Sequence, residues 1–157
     1  MNNLKKSFQR IKLKDLVFVI LYAVVLSILF GIMIGLIDSL ITRQIRFSLS
    51  FIFFFISSRW LGRQIRRQYE MSNVYYTIIA FIGLFIQAII VLTISAFASQ
   101  VNIVNHPEIF LNEKIYIQQF ILLIETTFAN GFFGIMNNLI TFLLYGVGIY
   151  IGVRETY

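Results

Sequence analysis

The sequence has no cysteine, and only one proline, one histidine and one tryptophan among its 157 residues. Without cysteine there is no disulfide framework, no thiol nucleophile and no Cys-based metal site. The single histidine, His106 beside Pro107, cannot build a His-rich metal centre, and no H-E-x-x-H is present. No G-x-S-x-G elbow, P-loop or G-x-G-x-x-G occurs. No two carboxylates are placed by the sequence to share a site. The expectation is a protein that is not an enzyme, with no catalytic, cofactor-binding or metal-ligating residues. Charge is also scarce. Charged residues make up 13% of the chain, against about 25% in soluble domains.

Apolar residues take that place. They make up 59% of the chain, and mean hydropathy is +0.83. A soluble fold of this length could not hide so much apolar surface, whereas a bilayer removes the need to hide it. The net charge of +6 would in a soluble protein raise nucleic-acid binding. Here the cations sit at the ends of apolar runs, where orientation in a membrane and anionic lipid account for them. No nucleic-acid partner is expected.

The charges divide the chain into spans. Leu16 to Ile37 is uncharged between Asp15 and Asp38. As a helix it is about 33 Å long, enough for a hydrocarbon core of roughly 30 Å. The run is too long for a signal-peptide core, so it reads as an uncleaved first span. Phe47 to Ser58 is too short to cross alone. Extended to Ile41–Gly62 it reaches about 33 Å, with Arg43, Arg46 and Arg59 near its ends and able to snorkel. A re-entrant hairpin is the alternative. Val74 to Ala98 forms a third span, starting with the boundary aromatics Tyr75 and Tyr76 and followed by Ser99, Gln100, Asn102, Asn105 and Pro107. The last apolar stretch, Ile115 to Val153, is punctuated at Asn130-Gly131. Gly131–Val153 makes a fourth span. In residues 115–128, Gln118, Gln119, Glu125 and Thr126 fall opposite Ile117, Phe120, Ile121, Ile124 and Phe128. That pattern suits a helix lying in the membrane interface. A fifth, short span is the rival, and it would bury Glu125.

The fold expected is therefore all-α. It is a polytopic membrane helical bundle of four transmembrane helices plus one interfacial amphipathic helix on the outer side, in a single membrane domain over 1–157. Residues 1–15 form a basic N-terminal segment. The spans fall at about 16–37, 41–62, 74–98 and 131–153. Lys5, Lys6, Arg10, Lys12, Lys14, Arg59, Arg63, Arg66, Arg67 and Arg154 then share one side, with Arg43, Arg46 and Lys114 on the other. The positive-inside rule makes the first side cytoplasmic. Both termini are expected there, in a bacterial plasma (inner) membrane.

Three features are candidates for function. The first is a small-residue stripe, Ala23, Ser27, Gly31 and Gly35, with a counterpart at Gly148 and Gly152. Such stripes permit the close helix approach on which association in lipid depends. It could serve packing within the chain or an oligomer seam. The second is Arg59, Arg63, Arg66 and Arg67, of which the first three share a helix face. It suits anionic lipid at the cytoplasmic face or an acidic partner. The third is the intramembrane polar set Gln87, Asn137 and Asn138, suited to hydrogen bonding across helices. Asp38, at the outer end of the first span and within reach of Arg43, leaves no ionisable group deep in the membrane. The function these features suggest is a non-catalytic structural or accessory membrane component, working as an oligomer or as a subunit of a larger complex. The alternative is a small channel or transporter for an uncharged solute.

Overall fold

The computed structural model describes residues 13–70, 73–100, 113–129 and 131–157. All secondary structure among them is helical: α1 (Leu13–Ile45), α2 (Ser50–Arg66), α3 (Val74–Gln100), α4 (Glu113–Ala129) and α5 (Gly131–Arg154). Two of these segments, α1 and residues Val74–Ser95 of α3, are long and apolar enough to cross a membrane. The described, apolar part of α5, Leu139–Arg154, is shorter.

The second span departs from the sequence expectation. Residues 41–45 continue α1, and α2 begins only at Ser50. The break is Arg46, in the left-handed region at φ 59°, whose N–H bonds Thr42 O at 2.9 Å. A left-handed residue there closes a helix by satisfying one of its last carbonyls. The expected 41–62 helix is thus replaced by Ser50–Arg66, 17 residues or about 25 Å.

The glycine contacts give the topology. A side chain at Gly83 would strike the Ala23 main chain, one at Gly31 would meet Ile90 Cγ2 at 2.8 Å, and one at Gly35 would meet Ile94 Cβ at 2.6 Å. Positions rise together on both helices, so α1 and α3 run parallel. Phe54 packs on Tyr145 and Gly148, and Gly62 on Gly152, so α2 and α5 also run parallel. The two pairs oppose each other. α1 and α2 meet at Asp38 and Ser48 near their turn, and Phe30 meets Trp60 edge-on at 5.2 Å further along. α1 also carries a π turn, Tyr22–Leu26, at the level where Ala23 meets Gly83.

The core joins four of the five described helices: Val19 and Ala23 from α1, Phe54, Leu61 and Ile65 from α2, Ala80, Leu84 and Val91 from α3, and Tyr145 from α5. A smaller cluster, Ile90 and Ile94, seats Tyr116 of α4, and Phe120 meets Phe85 at 6.4 Å. The face of α4 that touches the bundle is therefore Tyr116–Phe120. Ile117, Ile121, Ile124 and Glu125 are exposed. The basic N-terminal residues 1–12, and His106 and Pro107, lie outside the described residues.

Candidate functional site

Polar groups link the helices at three levels, of which the first two are buried. At the α1–α2 turn, Asp38 is 1% exposed. α1 continues past it to Ile45, so an ionisable side chain sits inside the packed helix rather than at its end. The sequence pattern had placed no such group inside a span. Ser48 Oγ donates to both carboxylate oxygens at 3.0 and 2.9 Å, Leu49 N–H to Oδ1 at 2.7 Å, and Ser95 Oγ of α3 to Oδ2 at 2.7 Å. Leu49 is the residue that caps α2. Asp38 thus does from a neighbouring helix what a capping-box Glu does within its own. Ser48 and Ser50 Oγ share a further bond at 2.8 Å.

At mid-bundle, Gln87 is fully buried, and its Nε2 donates to Ser57 Oγ at 2.7 Å. Ser57 Oγ in turn donates to Phe54 O at 2.9 Å. This ties α3 to α2. The side chains of Asn137 and Asn138 lie outside the described residues.

At the opposite end, the basic face of α2 meets the segment that follows α5. Arg59 Nε donates to Glu155 Oε1 at 2.8 Å, and Arg63 Nε to Oε2 at 2.9 Å. Arg66 donates to Tyr157 O at 3.2 Å and to Tyr69 O at 2.8 Å, with its guanidinium 5.1 Å from the centre of the Tyr69 ring. Tyr69 Oη donates to Thr156 O, and its ring stacks on Tyr76 at 4.5 Å. The hydrogen bonds from Arg63 and Arg59 hold the Glu155 carboxyl below its usual range. Burial raises the Tyr69 phenol above its usual value.

Three of the four arginines expected to meet lipid or a partner therefore hold the chain's own residues 155–157. Arg67 is exposed beside Lys14, Asp15 and Glu70. That contact also places Lys14 of α1 at the same end of the bundle as Glu155.

The small residues fall between helices of the same chain. Ala23, Gly31 and Gly35 face α3, and Ser27 between them is buried. Gly148 faces Phe54, and Gly152 faces Ser58 and Leu84. Two glycines that the sequence reading did not single out matter as much. Gly62 accepts the Gly152 main chain, and Gly83 accepts that of Ala23. Each is the one glycine of its helix, and only Gly62 has a small residue, Ser58, four positions before it.

The chain matches no protein-family model, no curated protein and no solved structure. The reading of its function rests on its own residues.

Proposed function

We propose that this chain is a multi-pass membrane protein in which α1, α2, α3 and α5 are the four spans. In this reading it is a non-catalytic component, working as an oligomer or as a subunit of a larger complex. One observation carries the membrane reading: the outside of the bundle is apolar, while polar side chains are kept among the apolar ones inside. Large apolar side chains line the outside of each long helix, among them Leu29 and Met33 of α1, Ile56 of α2, Phe81 and Ile82 of α3, and Leu143 and Val147 of α5. Asp38, Ser57, Ser58, Gln87 and Thr93 are inside. Water would reverse that sorting, and lipid favours it.

The short α2 is compatible with spanning because its arginines, Arg59, Arg63 and Arg66, fall in its last two turns, where long side chains can snorkel. Lys14, Arg67 and Glu155 share one end, which supports an even number of crossings, and the density of arginine there supports a cytoplasmic side. The contact of α4 with the α3 flank suits a helix seated against the spans at the membrane boundary. The non-catalytic reading rests on Asp38 and Gln87 being engaged as ties between helices. A solute pathway is disfavoured by Phe54, Leu61, Ile65 and Leu84, which fill the centre.

The cysteine-free chain makes the test direct. Single cysteines at 46 and 155 are treated in intact cells with a membrane-impermeant maleimide. Residue 46 labels at once, and residue 155 only after permeabilisation. Labelling of both from the same side would overturn the four-span reading. Flux of a small neutral solute through liposomes holding the purified protein would overturn the non-catalytic packing role in favour of a channel.

A further inference from the structure

On the flank of the bundle, α3 and α5 meet at Leu84 and Gly152 but leave a gap beside that contact. An open-sided groove of about 400 Å³ runs between them, walled by Phe81, Phe85 and Ile89 of α3 and by Ile149 of α5, with Phe120 of α4 covering part of it. The lining is almost wholly apolar. Its floor includes Gly146, and a Cβ built there meets nothing within 4 Å. The other described glycines of the helix crossings each meet a neighbour, so Gly146 opens onto space that no described residue fills.

We propose that this groove binds one acyl chain of an anionic phospholipid, with the phosphate held by Arg154. The proposal rests on the membrane reading above and goes beyond it by naming a ligand and its place. Length selects the occupant. The groove extends along α5 from Phe142 to Val153, about 17 Å of helix. That is close to one leaflet of a hydrocarbon core of roughly 30 Å. A lipid tail is one leaflet long, whereas a partner helix would need the full thickness. The volume falls within the roughly 300–1,000 Å³ of ligand pockets.

Charge selects the headgroup. Tyr150 lines the groove, and Arg154 follows one turn later on the same face of α5. Arg154 is exposed at the basic end. Arg59, Arg63 and Arg66 are engaged by Glu155, Tyr157 and Tyr69. No described residue takes the Arg154 side chain. Its planar fork suits a phosphate in a bidentate way, and Tyr150 suits the headgroup boundary beside it. The anionic-lipid contact that the sequence suggested for the α2 arginines thus moves to α5.

The test is native mass spectrometry of the protein released from nanodiscs of mixed phosphatidylglycerol and phosphatidylcholine. The wild type retains one phospholipid per chain, with phosphatidylglycerol preferred. Gly146→Trp fills the groove and abolishes retention of both lipids. Arg154→Gln, at an exposed position that leaves the fold intact, keeps retention but lowers the headgroup preference about fivefold, as expected for one basic residue. Arg59→Gln with Arg63→Gln leaves both readouts unchanged. Retention that survives Gly146→Trp, or a preference that follows the α2 arginines instead of Arg154, would overturn the site. All variants are first checked in carbonate-washed membranes. Release of the wild type from that pellet would overturn the membrane reading itself, whereas a pelleted protein that carries no lipid overturns only the groove.

Discussion

At the scale of single residues, Asp38 carries the largest local consequence. Its carboxylate accepts from Ser48, Leu49 and Ser95 while 1% exposed. Asp38→Ala leaves the partly buried Leu49 N–H and Ser95 hydroxyl without their acceptor, while the exposed Ser48 keeps Ser50. Stranding a buried donor costs about 1–3 kcal/mol, so unfolding of the purified protein in mixed micelles should shift by that order. Asp38→Asn keeps one carbonyl acceptor and should lose less.

Glu155 answers to pH. Its carboxyl is depressed from an ordinary value near 4.5 by Arg63 and Arg59. A depressed folded value means that its contribution is fully present above the unfolded pKa. The contribution is lost as pH falls through the folded one. Melting curves taken from neutral pH downward should show a small loss in the acid range that Glu155→Gln removes. The effect should fade with salt, because the arginine partners are half exposed. Asp38 itself was visible in the sequence as a charge at a span end. Its donors were not, because Ser95 lies 57 positions away and nothing local announces it.

At the scale of helices, the glycines grade themselves by what they touch. Gly62 and Gly83 abut main chain, of Gly152 and Ala23, which cannot swing aside. Gly31 and Gly35 abut the side chains of Ile90 and Ile94. Overpacking of a close-packed contact costs about 1–3 kcal/mol. Gly62→Ala and Gly83→Ala should sit at the top of that range, Gly31→Ala lower, and Gly146→Ala near zero, as measured by denaturant titration in micelles. Gly31→Leu separates the two roles open to the α1 stripe. It should weaken the fold without changing the assembled mass, because that face already packs on α3.

The stripe was legible because its spacing repeats. The lone Gly62 and Gly83 were not, since one glycine in a helix has many uses. The boundaries of α3 were legible from its uncharged run, whereas α1 was legible as a helix but not in its end, because it runs on past Asp38 to Ile45. Nor was the start of α2 legible. Arginines at both ends made 41–62 look like one span, and the break depends on Arg46 turning left-handed, a choice that arginine rarely makes.

At the scale of the whole molecule, the apolar exterior sets the behaviour of the purified protein. Transfer from micelles into detergent-free buffer should give large aggregates in light scattering and not a monomer. Return to lipid should restore a defined species, because the exterior needs an apolar solvent. The all-helical architecture followed from composition and charge placement, which are properties of the entire chain. The basic end was also legible, but its occupant was not. Glu155 sits 96 positions from Arg59 in sequence, and only the parallel run of α2 and α5 brings the two together.

Under the four-span proposal, the Asp38 contacts bear on the order in which the chain enters a bilayer. A lone carboxylate on a helix passing into hydrocarbon costs a few kcal/mol. Ser48 and Leu49 follow it by only 10 and 11 positions, so the first hairpin carries its own hydrogen-bond donors to the carboxyl group. The third helix adds Ser95 afterwards. Biogenesis in pairs, with α1 and α2 inserting together, is the route along which Asp38 is never left bare.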